Sequence, residues 1–123
     1  MRVIEEKMLE AIKNRKNWRS GNTQVVRRGF SSEVWLHGNN IAIIWDDAQP
    51  YISLCGWNSK TTISRLNALS YYTNIKIKTC NHSRYGVVSF YDDMIGGIVN
   101  HEMLLPDNGW TTYDDIIENR CIA

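Results

Sequence analysis

Between residues 23 and 55 the sequence divides into short runs of β-branched and aromatic residues, parted by clusters of turn formers. That rhythm restricts the chain more than any other feature. A run of five or so residues buries one face only by pairing with the next run, so this stretch is predicted to be an antiparallel β-meander. Its strands are Thr23–Arg28, Glu33–His37, Ile41–Trp45 and Tyr51–Cys55. Its turns are Gly29-Phe30-Ser31-Ser32, Gly38-Asn39-Asn40 and Asp46-Asp47-Ala48-Gln49-Pro50; the second supplies residues that tolerate positive φ. Ile41-Ala42-Ile43-Ile44-Trp45 is apolar throughout and is expected at the centre of the sheet, covered on both faces.

Such a sheet needs cover, and two segments have helical spacing. Val3-Ile4, Met8-Leu9 and Ile12 make the apolar stripe of an amphipathic helix of about four turns, with Glu5, Glu6, Lys7, Glu10, Lys13 and Arg15 on its other faces. Residues 14–22 read as its exit turn. After a break at 56–60, Thr61–Ser70 carries Ile63, Leu66 and Leu69 three apart behind capping hydroxyls, a second helix that continues towards Tyr72. Ile75-Lys76-Ile77-Lys78 alternates as a half-buried strand, Asn81-His82-Ser83 turns, and Tyr85–Tyr91 is a further strand. Met94–Leu105 is a bent strand or hairpin, because Gly96-Gly97 opposes a helix interior, and Thr111–Glu118 is a short acidic helix behind a threonine cap. The expected fold class is α+β, a small antiparallel sheet flanked by the N-terminal amphipathic helix and a second central helix. At 123 residues the chain has room for one core, hence a single domain over 1–123.

The longest apolar run falls far short of the ~20 residues that span a bilayer, and the acidic start at Glu5-Glu6 builds no apolar leader. No membrane association is expected. Cys55, Cys80 and Cys121 are odd in number and widely spaced, which argues against a disulfide framework and a zinc cage and fits a reducing cytoplasm. Cys80-Asn81-His82 lacks a second ligand pair, and the aspartate pairs 46–47, 92–93 and 114–115 fit caps better than Mg²⁺ sites. No metal or cofactor is expected. His37, His82 and His101 lie apart with no nucleophile at a familiar spacing, so no enzyme is read.

The net charge of +1 conceals an uneven distribution. Residues 11–91 hold eleven bases against three acids, net +8, whereas residues 92–123 hold one base against seven acids, net −6. A basic segment of that length suits an anion-binding surface. The plainer alternative is that the acidic third docks on the basic middle.

Two windows concentrate the relevant chemistry. At the start of the second helix, Lys60 and Thr61 sit beside free helix amides with Arg65 about one turn in, a cradle for phosphate, while Trp57 just upstream offers a stacking surface for a base. An ordinary capped helix beside a core tryptophan has the same pattern. The second window joins Trp18-Arg19 with Arg27-Arg28-Gly29-Phe30, where guanidinium forks grip phosphate oxygens; Arg27 and Arg28, adjacent on a strand, point to opposite faces.

Asn17-Trp18, Ser20-Gly21-Asn22-Thr23, Leu36-His37-Gly38-Asn39-Asn40-Ile41-Ala42 and the stretch Gly56–Leu69, with Ser64-Arg65-Leu66-Asn67-Ala68-Leu69 as its most specific part, together resemble small bacteriophage proteins of the anti-Thoeris family. The resemblance covers roughly residues 1–72. It implies a non-enzymatic sponge in the host cytoplasm that sequesters a cyclic ADP-ribose isomer, and in some members cyclic oligonucleotides. It also implies a homodimer built through a helix and a small sheet, with hexamers in some members. Placed by chemistry, the candidate ligand residues are Arg19, Arg28, Lys60 and Arg65 for the pyrophosphate, Trp18, Phe30 and Trp57 for adenine, and Thr61 and Asn67 for ribose hydroxyls. The competing reading is a phage DNA- or RNA-binding protein that uses the same basic, aromatic surface.

Overall fold

The computed structural model describes residues 2–119; Cys121 and Arg120, counted above, lie outside them. Helix α1 (Val3–Lys13) leads into strands β1 (Trp18–Ser20), β2 (Thr23–Arg28), β3 (Ser31–Leu36), β4 (Asn39–Trp45) and β5 (Tyr51–Ile52). Helices α2 (Lys60–Ala68) and α3 (Ser70–Thr73) follow. Then come β6 (Lys76–Cys80), β7 (Ser83–Asp92), β8 (Gly97–Leu104), β9 (Thr111–Thr112) and α4 (Tyr113–Ile117). The strands form two antiparallel sheets, one ordered β1-β2-β3-β4-β5-β9 and one ordered β6-β7-β8, so the fold is α+β.

The meander forms as expected, but its turns are tighter. Leu36 pairs with Asn39 across His37-Gly38, both at positive φ (50° and 78°), the geometry that matches the twist of the paired strands. Asn81-His82 does the same between β6 and β7. Gly21, at φ 55°, with Asn22 makes another two-residue hairpin, which turns the expected exit segment into the edge strand β1, Trp18 opposite Val25. Ser31 and Ser32 likewise belong to β3 rather than to a turn.

Three further expectations change. Helix α1 is 11 residues, about three turns, and its buried stripe is Glu5, Met8, Ala11 and Ile12 while Val3 faces solvent. The last strand of the meander keeps only Tyr51 and Ile52: Cys55 and Gly56 both take positive φ and lead the chain off the sheet towards α2. In β4, Ile41, Ala42 and Ile44 are buried but Ile43 and Trp45 only half-buried, so the second face is covered at one end alone. Met94–Leu105 resolves as the outer half of a hairpin, Gly97–Leu104 paired along β7.

One core joins both sheets. It contains Met8 and Ile12 of α1, Val25, Val34 and Ile41 of the larger sheet, Leu66 and Leu69 around α2, Ile77 and Val88 of the smaller sheet, and Ile116 of α4. Helix α2 is capped by Ser59, whose Oγ accepts from the Thr62 amide at 3.1 Å. From its far end Asn67 accepts from the Ile77 amide at 2.7 Å and donates to the Ile77 carbonyl at 3.4 Å, closing the outer edge of β6. Loss of both bonds in Asn67→Ala is expected to cost about 1–2 kcal/mol, read as a lower urea midpoint with an unchanged slope.

Candidate functional site

The nine residues singled out from the sequence do not converge. Arg65 is 3% exposed; its guanidinium donates to Glu5 Oε2 at 2.9 Å and to Thr23 Oγ1 at 3.0 Å. Glu5 Oε2 also accepts from Ser64 at 2.6 Å. Arg65 is therefore built into the α1–α2 contact, buried and paired with Glu5, rather than standing as a free cation at the mouth of α2. Asn67 is spent on the edge of β6 in the same way.

Lys60 and Thr61 remain at the start of α2, exposed and half-buried, and Trp57 stacks on His37 with ring centroids 5.9 Å apart. Arg84 rather than Arg65 reaches this loop, bonding Asn58 and Thr79. Arg28 and Phe30 lie at the other end of the meander, about 17 Å away along β2, with Arg28 paired to Glu33 at 2.8 Å. Trp18 stands beside a separate recess of about 380 Å³ against α1, and Arg19 faces solvent on β1. A single pocket made of all nine is excluded within one chain.

A different place gathers cations and rings together. Between α1, the β2–β4 surface and α3 runs an open groove of about 660 Å³, whose lining includes Lys13, Arg15, Arg27, Trp45, Tyr71 and Tyr72. Tyr71 is 80% exposed and meets Tyr72 edge-on, ring centroids 5.1 Å apart. Burial pushes the Tyr72 hydroxyl up and neighbouring Tyr71 adds to that, so it stays a neutral donor. On the groove floor Arg27 forks onto Asp46 at 2.9 and 2.5 Å, with Arg15 at 3.8 Å from the same carboxylate. The Arg27 hydrogen bond holds the Asp46 carboxyl below its ordinary range; loss of solvent opposes it, and the charges of Arg15 and Arg27 add to the lowering. The arrangement sets three cations, Lys13, Arg15 and Arg27, beside aromatic walls, with two carboxylates in the lining: Asp46, which holds the Arg27 guanidinium in place, and Glu10.

Compared with protein families, residues 1–83 match the model of the Kyanoviridae Gp96 protein, a phage family. The chain belongs to that family. No curated protein and no solved structure matches it. The Gp96 match spans α1 to β6 and ends at the β6–β7 hairpin, so every residue of the groove lies within the family region. Among the described residues no helix is long and apolar enough to cross a membrane, and no three His, Cys, Asp or Glu side chains cluster as a metal site.

The groove was not visible as a unit in the sequence. Arg15, Arg27, Trp45 and Tyr71 come from segments that only the fold brings together. The one local signal was the Tyr71-Tyr72 pair placed straight after a helix.

Proposed function

We propose that this phage protein binds and sequesters a cyclic ADP-ribose-type signalling nucleotide without altering it, and thereby blocks Thoeris immunity in the host cytoplasm. The observation that carries the reading is the groove: its 660 Å³ lies within the usual range for small-ligand sites, and its lining supplies both chemistries that a nucleotide needs. Arg27, Arg15 and Lys13 meet the pyrophosphate, and Tyr71 or Trp45 stacks on adenine. Arg27 then exchanges part of its contact with Asp46 for phosphate oxygens. A sponge with nanomolar affinity needs about −12 kcal/mol, which calls for a more enclosed site than an open groove. A second copy lying over the exposed Tyr71 would provide that enclosure.

Incubation with a cyclic ADP-ribose isomer, removal of free ligand, heat denaturation and mass analysis of the released fraction test the reading. Intact nucleotide is the expected result; a cleaved product would indicate a hydrolase. Absence of nucleotide together with salt-sensitive DNA or RNA retention would favour the nucleic-acid reading. Arg27→Ala and Tyr71→Ala are each expected to weaken retention by about tenfold or more, the scale of one charged hydrogen bond or one stacked ring. Unchanged retention in both variants would place the ligand elsewhere.

A further inference from the structure

Helix α3 serves two cavities. Tyr71 and Tyr72 line the groove already described, whereas Ser70, with Asn74 just past the helix, lines a second recess of about 490 Å³. The recess lies where β6 begins: Lys76 stands opposite Val87, so the two side chains share a face, and Ser89, two residues further along β7, continues it. Tyr113, the first residue of α4, completes the lining. The volume is that of a small-ligand site, and none of these six residues belongs to the groove.

Its polar groups are uncommitted. Among the described residues the hydroxyls of Ser70 and Tyr113, both half-buried, the Asn74 amide group and the Lys76 ammonium make no side-chain hydrogen bond or ion pair. Ser89 gives its proton to Asn100 Oδ1 at 2.6 Å and so keeps its oxygen as an acceptor. The neighbouring charges are engaged elsewhere: Lys78 with Glu102 at 3.0 Å, Asp114 with Gln49 at 2.9 Å and Asp115 with the Thr112 amide at 2.8 Å. Lys76 is left as the single charge in the lining, which holds no carboxylate. We propose that this recess binds a sugar acid, a polyhydroxylated ring that carries one carboxylate. Ring hydroxyls both donate and accept, as do Ser70, Tyr113 and Asn74. Val87 and the Tyr113 ring offer an apolar surface to the C–H face of the sugar. The single negative charge of a carboxylate is matched by Lys76, whereas a phosphate monoester, at about −1.5 to −2, is only partly compensated and finds no arginine fork there. A neutral sugar leaves the ammonium to water.

The inference does not depend on the nucleotide reading, because the two sites share no residue and either can fail alone. Titration of the full chain with glucuronate, followed by amide NMR shifts, tests it. Saturable shifts are expected at residues 74–76, 87–89 and 113, with a Kd of about 1 mM or tighter. Glucose and glucose 6-phosphate are each expected to bind about tenfold more weakly, the first for want of a charge and the second for an excess of it. Lys76→Gln is expected to lose about tenfold or more, and Tyr113→Phe about fivefold, the scales of a charged and a neutral hydrogen bond. Lys78→Gln, whose charge Glu102 already holds, should bind as the parent does. Lys76 is exposed, so its variant keeps the fold and decides the matter even where Tyr113→Phe unsettles α4. No saturation by about 10 mM glucuronate, shifts confined to other residues, equal binding of glucose or glucose 6-phosphate, or a Lys76→Gln variant that binds unchanged would each overturn the assignment.

Discussion

Arg65→Ala is expected to cost about 3–5 kcal/mol of folding stability, a large share of what a domain of this size has. Both side chains of the Arg65–Glu5 pair are 4% exposed, and they meet at 2.9 Å between α1 and α2. Removing the guanidinium strands the Glu5 carboxylate with Ser64 and the Arg2 amide as its remaining donors. It also leaves Thr23 Oγ1 without the bond from Arg65 Nε. Urea unfolding measures the loss. Replacing both partners by methionine is expected to recover most of it, because no buried charge is then left alone. A single alanine variant as stable as the parent would mean that the pair opens to water.

The same contact sets an acid limit. Burial pushes the Glu5 carboxyl up, but the hydrogen bonds from Ser64, Arg65 and the Arg2 amide, with the Arg65 charge, outweigh it and hold the group below its ordinary range. A carboxyl whose folded value is depressed adds stability that is fully present above the unfolded value of about 4.3 and is lost as the pH falls through the folded value. Glu5→Gln should therefore flatten the acid limb of a stability-against-pH curve and leave the neutral limb lower but parallel.

The second large effect is steric. Gly86 takes no unusual backbone angle, yet a Cβ there would stand 2.8 Å from Ile116 Cδ1 and 3.1 Å from Leu105 Cδ2. Its glycine is required by the close approach of α4 to β7. Gly86→Ala is expected to destabilise by about 1–3 kcal/mol, and Gly86→Val by more. Ile116→Val deletes the very methyl group in the way, so the double variant Gly86→Ala with Ile116→Val should be more stable than the two separate losses predict. Strict additivity in the melts would show that α4 moves aside instead.

The hairpins were legible because each depends on a few adjacent residues: His37-Gly38 and Asn81-His82 carry their turn geometry wherever the rest of the chain lies. Strands β1 and β9 were not, since three residues and two residues are too short to show alternation; pairing with a neighbour makes them strands. The site was misread for a related reason. Counting Arg65 as a free cation was reasonable from helix periodicity, but its partner Glu5 lies 60 positions away, on a helix face expected to be solvated. The charge tally misled in the same direction. Arg27 and Arg28 pair with Asp46 and Glu33 of the basic segment itself, while Lys78–Glu102, at 3.0 Å, is the one ion pair among the described residues that links the middle to the acidic third. The acidic third is attached instead by backbone pairing of β8 with β7 and of β9 with β5, and by packing of Ile116 and Leu105 into the core.

The placement of β9 also orders events during synthesis. Tyr51 pairs with Thr112 and Ile52 with Thr111, so the larger sheet is completed by residues made some 60 positions after the strand they join. Strands β1 to β4, linked by two-residue turns, need no such wait and can zip together while the C-terminal third is still inside the ribosome. Until Thr111 emerges, β5 is a bare edge on a nascent chain, and it is then that the protein is most open to pairing with a stranger.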